Sequence, residues 1–368
     1  MKIGIITFWD TEENYGQVLQ CYAMVKYLKI LGHNAFLIKT KDTSGSKRTV
    51  KQKLYTLLYM ISHPGSFYSE LRKKSSQNGI PEGIVVKRNF SFFREQYLPS
   101  SEKIYTYEDL AQQPLDCDVI ICGSDQIWSS ISPLMYLQFP GNFKRISYAA
   151  SFGGFQIKNR IDRKQVKSWL DTFDFVSVRE KAGVAICNEL GVKAELFPDP
   201  TLLLDKEDYE SVSDKNCQNQ NPYILIYMLG NRTEFDLGNV YNLACENHLD
   251  VKYVASQGRV DEFEKIYPTI PEWLSLIKNA RAVITNSFHG TVFSLIFNTP
   301  FLTVPLSGTV TRMNGRISDL LTRCHLEKRI FSGDLNAIFD EIDFSSFNSI
   351  KEKDVMRVSD VMKTILCS

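Results

Sequence analysis

Apolar runs of strand length alternate with amphipathic runs of helix length along most of this chain, and that alternation leaves few folds open to it. "KIGIITF" (2–8) reads as a buried strand. "GQVLQCYAMVKYLKILG" (16–32) repeats apolar residues at helical spacing and stops on a glycine. "NAFLIKT" (34–40) is the next strand, and strand, helix, strand at this spacing is a βαβ unit. The pattern returns at "DVIICGSDQIW" (118–128), "RISYAASFG" (145–153) and "FVSVREKAGVAICNELG" (175–191). It starts again at "YILIYML" (223–229), followed by a helix at about 233–249 and by "VKYVAS", "PEWLSLIKNA", "AVITN", "GTVFSLIFN", "FLTVPL" and "RMNGRISDLLTRCHL".

Two such runs predict an α/β protein of two Rossmann-like domains with parallel sheets facing across a cleft. The length of 368 residues fits, because one core rarely grows that far. The expected domains are 1–205 and 222–330, followed by a helical tail, 331–368. The join, "DKEDYESVSDKNCQNQNP", is polar and ends in proline, as a linker should. Residues 39–103 hold thirteen Lys or Arg against five Asp or Glu, an excess of eight positive charges. Here 41–103 reads as a basic insertion in the first domain, with an amphipathic stretch at 50–61. The bland reading is a solvated helical flap; the functional one is a surface that meets anionic lipid or a phosphate-bearing acceptor.

Other classes are disfavoured. A net charge of +1 gives no global field for nucleic acid. "MKIGIITFWD" begins as a strand and lacks the parts of a signal peptide, and no apolar run reaches the length of a transmembrane helix. Eight scattered cysteines form no C-x-x-C pair, so reduced thiols and a cytoplasmic protein are expected. Dinucleotide, P-loop, H-E-x-x-H and G-x-S-x-G signatures are missing, and five unpaired histidines suggest no dedicated metal site.

Ligands of doubly wound sheets bind beyond the carboxyl ends of the strands, so the loops there carry the candidates. They are Asn14, Gly16 and Gln17 after the first strand; Ser124, Asp125 and Gln126 in "GSDQIW"; Arg179; Asp199 in "FPDPTLLL"; Ser287, His289, Gly290 and Thr291 in "NSFHGT"; and Arg312 and Arg316 after the last strand. Each has a plain structural alternative. Asn14 and Gly16 can serve a helix cap, and Ser124 with Asp125 another. Arg179 can pair with Glu180 or Asp174 at the surface, Arg316 with Asp319 along a helix, and Asp199 between two prolines reads as a structural turn. His289 opens a helix whose free N–H groups and dipole favour an anion, which makes it the strongest functional candidate.

In order along the chain, "NYGQVLQCYAM", "GSDQIWS", "SYAASFG", "VSVRE", "PDPTLLL", "TNSFHGTVFSLIFNTPF" and "NGRISDLL" resemble the polysaccharide pyruvyl transferase family. The resemblance implies a glycosyltransferase-like arrangement of the two domains, with the acceptor on the first and phosphoenolpyruvate on the second. It implies transfer of pyruvate from phosphoenolpyruvate to a sugar or lipid-linked oligosaccharide as a cyclic ketal, without a cofactor. By the same resemblance His289 is general acid or phosphate anchor, and Arg179 and Arg316 clamp anions. Many relatives carry arginine where this chain has Ser287, which makes Arg312 and Arg316 candidates to supply that charge. Many carry aspartate where this chain has Gln17, which makes Asp125 a candidate base. A sugar-nucleotide glycosyltransferase and a non-catalytic sugar- or phosphate-binding protein are the rival readings.

Overall fold

The computed structural model describes residues 1–41, 85, 87–216, 221–230, 235–256, 259–306, 311 and 314–367. β1 (Lys2–Ile6), α1 (Tyr15–Ile30) and β2 (Asn34–Leu37) form the first βαβ unit, with Ile5 opposite Leu37. Then come α2 (Phe90–Tyr97), α3 (Tyr107–Gln112), β3 (Val119–Cys122), β4 (Lys144–Ala150), α4 (Arg160–Leu170), β5 (Phe175–Val178), α5 (Lys181–Glu189) and β6 (Glu195–Leu196). These six strands make one parallel sheet in the order β2-β1-β3-β4-β5-β6. A 3-10 turn, Pro200–Leu203, and α6 (Lys206–Glu210) lead to the second unit. There β7 (Tyr223–Met228), α7 (Gly238–Glu246), β8 (Asp250–Ala255), α8 (Ile270–Lys278), β9 (Ala282–Thr285), α9 (Phe288–Ile296) and β10 (Phe301–Thr303) alternate, and the four strands pair in parallel as β10-β9-β7-β8. α10 (Asn314–Arg323) and α11 (Ser345–Cys367) follow. The two parallel α/β units expected from the alternation are present.

The strands read as continuous apolar runs because helices cover both faces of each sheet. "YILIYM" of β7 is buried at every position. α1 is buried on most of its circumference, since it lies where the two units meet and has little solvent face to offer. One apolar core runs through both units and holds Ile5 of β1, Leu19 of α1, Leu225 of β7, Trp273 of α8 and Phe293 of α9. Tyr15, at the start of α1, stacks on Trp273 with ring centroids 5.0 Å apart, and its hydroxyl donates to Pro268 O at 2.7 Å. Such a contact carries apolar area and a satisfied polar tip at once.

Two stretches are more closely packed than their sequence suggests. The polar join is not a loose tether: in α6, Tyr209 is fully buried, its ring meets Phe293 edge-on at 4.9 Å, and its hydroxyl donates to Thr201 O at 2.8 Å. The helical tail does not trail away either. α11 returns to the first unit, where Lys351 Nζ reaches Asp205 at 2.6 Å, Arg357 Nη2 donates to Leu196 O at 2.5 Å, and Lys144 Nζ donates to Ile365 O at 3.0 Å. The amphipathic stretch 50–61 lies outside the described residues. Two of the positive charges counted in 39–103 are turned inward. Arg88 is fully buried and donates to Ala255 O at 2.7 Å, and Arg94 Nη2 meets Glu12 at 2.5 Å. Among the described residues, no helix is long and apolar enough to cross a membrane.

Candidate active site

The carboxyl ends of β3, β5 and β9 bring loops from both units to one point, and Asp199 is its centre. Its carboxylate is 1% exposed. Arg179 Nη1, just after β5, donates to Oδ2 at 2.6 Å. Ser124 Oγ, just after β3, donates to Oδ2 at 3.1 Å. Thr201 binds Oδ1 through its backbone N–H at 3.1 Å and its hydroxyl at 2.8 Å. His289 Nε2, from the second unit, stands 3.6 Å from Oδ2. Burial alone would push the Asp199 carboxyl up, but His289 and Arg179 outweigh it and hold it well below the usual carboxylate range.

Two arginines share the space in front of this carboxylate. Both lie near the Phe288 ring, the Arg179 guanidinium carbon 5.0 Å and the Arg316 one 5.7 Å from its centroid. Arg179 stays charged: burial opposes its charge, and Asp199, Asp125 and Glu180 overcome that and raise its pKa. Arg316 has less compensation. Burial, and then the like charge of Arg179, bring its pKa down to about 10. With the Gln126 amide turned so that its oxygen faces the guanidinium, that oxygen accepts from Arg316 Nη2 at 3.2 Å and Nη1 at 3.3 Å. Arg179 Nε and Nη2, Arg316 Nε and His289 Nε2 are buried with no hydrogen-bond partner among the described residues. Glu180 accepts from Ser151 Oγ at 3.0 Å and Phe152 N at 2.9 Å, and so ties the β5 loop to the end of β4.

His289 sits in the first turn of α9, behind the Ser287 cap, whose hydroxyl accepts from Gly290 N at 3.3 Å. The first turn of α1 meets it from the other unit. There Gly16 has no side chain to spare room for: a Cβ would stand 2.1 Å from the imidazole Cγ and Nδ1. Asn14 caps α1 by accepting from Gln17 N at 3.2 Å. Gln17 Nε2 donates to Asp125 Oδ2 at 3.0 Å, and the other Asp125 oxygen is 3.8 Å from Arg179 Nη2. Asp125 holds a left-handed backbone, φ +56°, on a loop clamped to the β4 end by Ser151 N donating to Asp125 O at 2.9 Å.

His289, Arg179, Arg316, Ser124, Asp125 and Gln126 are thus brought together, with Gln17 behind Asp125. Some expectations need correction. No helix follows β3 directly, so Ser124 and Asp125 do not cap one. Arg179 is buried on Asp199 and does not pair at the surface. Asp319 is 3.8 Å from Lys181, and no ion pair joins it to Arg316 among the described residues. Gly290 and Thr291 serve packing: a Cβ on Gly290 would strike Thr285 Oγ1 at 2.4 Å, and Thr291 Oγ1 donates to Ser287 O and lies 2.8 Å from Thr303 Oγ1. Arg312 lies outside the described residues. Asp199 does cap the 3-10 turn, as a structural turn residue would, but it also joins both units. Its signal was its place just beyond β6, at the carboxyl edge of the same sheet. Among the described residues, no cluster of three or more His, Cys, Asp or Glu is placed to hold a metal ion.

Fold and site define a two-unit α/β protein whose polar cluster is assembled from both units. The chain belongs to the polysaccharide pyruvyl transferase family, whose model matches residues 14–308. No curated protein matches the chain. Among solved structures it is similar to a UDP-GlcNAc 2-epimerase from Methanocaldococcus jannaschii in complex with UDP-GlcNAc and UDP, at 10% identity and TM-score 0.49, covering 96% of this chain and 99% of that one. It is also similar to the S. aureus MnaA–UDP co-structure, at 13% identity and TM-score 0.47, covering 95% of each chain. A third similar structure is an alpha-glucosyltransferase (AGT) in complex with UDP, at 11% identity and TM-score 0.43, covering 100% of this chain and 95% of that one.

Proposed function

We propose that the protein transfers pyruvate from phosphoenolpyruvate to two hydroxyls of a sugar in a surface polysaccharide precursor, such as a capsule or exopolysaccharide unit, forming a cyclic ketal and releasing phosphate. One observation carries this reading: Arg179, Arg316 and His289 converge from both units and keep buried nitrogens without a hydrogen-bond partner among the described residues. A donor with a carboxylate and a phosphate needs separate cationic forks for its two ends. Arg179 and Arg316 supply them. His289 gives a proton to the terminal methylene, which leaves the central carbon oxocarbenium-like. One sugar hydroxyl attacks that carbon and the C–O bond to phosphate breaks. The second hydroxyl then closes the ring. Of the two hydroxyl protons released, one balances the proton taken up by the methylene and the other leaves with phosphate. Asp125, held by Gln17 on one oxygen, is the carboxylate assigned to receive the first of them.

The basic residues of 39–103 other than the inward Arg88 and Arg94 support an acceptor carried by lipid at an anionic membrane surface. The test is incubation with phosphoenolpyruvate and a panel of lipid-linked and soluble glycosides, read by mass and by phosphate release. The product should gain pyruvate less one water, with phosphate appearing in step. Release of a nucleotide from a sugar nucleotide with gain of a hexose would replace this reading by glycosyl transfer. Stabilisation by ligand without turnover on any acceptor would favour a binding protein.

A further inference from the structure

We propose that Asp199 is the positioning residue of the site: its buried carboxylate fixes Arg179 and His289 before any anion arrives. The proposal rests on the reading of this cluster as the site of an anionic donor. Asp199 cannot act by touching substrate, because it is 1% exposed and both of its oxygens are taken. It acts through its neighbours. Arg179 gives one Nη1 hydrogen to Asp199, which leaves Nε and Nη2 as a guanidinium edge with no hydrogen-bond partner among the described residues. His289, from the second unit, stands 3.6 Å from the same oxygen. A guanidinium and an imidazole at the junction of two units would otherwise each have several rotamers, and a bound anion would have to order them. One carboxylate shared between a guanidinium and an imidazole removes that cost.

The contacts also say why an acid is needed at 199 and an amide will not serve. Arg179 Nη1 and Thr201 N are obligate donors, one at each carboxylate oxygen. An asparagine must turn its NH2 toward one of them. If it keeps Thr201, it releases Arg179.

The test uses the purified full chain and Asp199→Asn, with inorganic phosphate and phosphoenolpyruvate as probes in calorimetry. Folded Asp199→Asn should bind the probe that the wild type binds roughly tenfold to hundredfold more weakly, the worth of a charged hydrogen bond. A folded variant with unchanged affinity would overturn the proposal and leave Asp199 as a turn residue. Should the variant not fold, nitrogen-15 arginine spectra of the ligand-free wild type decide. Arg179 should show separate, slowly exchanging Nη signals, identified by their loss in Arg179→Lys; averaged signals would overturn it. Phosphate binding that Asp199→Asn weakens, with no binding of phosphoenolpyruvate by the wild type, would uphold the positioning role and remove the pyruvyl donor.

Discussion

Gly16 and His289 face each other across the junction of the two units, so closely that a methyl carbon at 16 would stand 2.1 Å from the imidazole. Gly16→Ala should therefore act on the histidine. Overpacking of this kind costs about 1–3 kcal/mol, to be read by urea unfolding. Turnover should fall about as far as in His289→Ala, roughly 10²–10⁴-fold. A Gly16→Ala enzyme as active as the wild type would show that the imidazole can leave its place without loss.

Arg316 is expected to trade stability for function. Buried beside the like charge of Arg179, its guanidinium has its pKa brought down to about 10. Arg316→Met keeps the length and removes the charge. It should stabilise the ligand-free protein by about 0.5–2 kcal/mol, in the range of relieved functional strain. Donor affinity should drop in the same protein. A loss of stability in thermal unfolding would mean that Gln126 and the nearby carboxylates fully compensate the charge.

For Arg179 the geometry predicts that charge alone is not enough. Arg179→Ala should weaken donor binding by about 1.5–3 kcal/mol and destabilise the fold, because Asp199 is left buried without its closest cation. Arg179→Lys should recover part of the stability and little of the affinity, since an ammonium cannot hold Asp199 and present a second edge together. Calorimetry and unfolding on the same samples separate the two effects. Full recovery of affinity by lysine would reduce Arg179 to a point charge.

Asp199 also sets an acid limit on stability. Its folded pKa is depressed, so the unfolded chain binds the proton more readily. The stability it contributes is fully present above the unfolded value of about 3.9 and is lost as pH falls from there toward the folded value. Urea unfolding of wild type and Asp199→Asn from about pH 6 downward should show the gap between them narrowing as the medium becomes more acid. A constant gap would place the origin of the effect in packing.

The strands other than the two-residue β6, and the histidine, were legible in the sequence because their signals are local. β7 is six apolar residues in a row, and His289 follows a strand and opens a helix within five residues of Thr285. Asp199 reads as a turn residue and its central role was not legible, since what matters about it is its distance from Arg179, Ser124 and His289, which stand 20, 75 and 90 positions away. The helix α4 gave little signal for a different reason: it buries only Val166 and Leu170 and leaves Ile161 81% exposed. The inward turn of Arg88 was hidden too, because composition counts a charge without saying which carbonyl it meets.

The return of α11 across the first unit has a consequence for synthesis. Phe347, Ile350, Lys351 and Asp354 line a small cavity behind Arg179, Asp199 and Arg316. Phe347, Val358, Met362 and Leu366 of the same helix are buried in the shared core. The unit that leaves the ribosome first therefore waits, with its apolar flank uncovered, for a helix made after the whole second unit. A nascent chain arrested between residues 316 and 345 would carry every side chain of the cluster and still lack one wall of it. Such a chain is a natural client for chaperones, and a nonsense change in the last helix should be as damaging as one at the histidine.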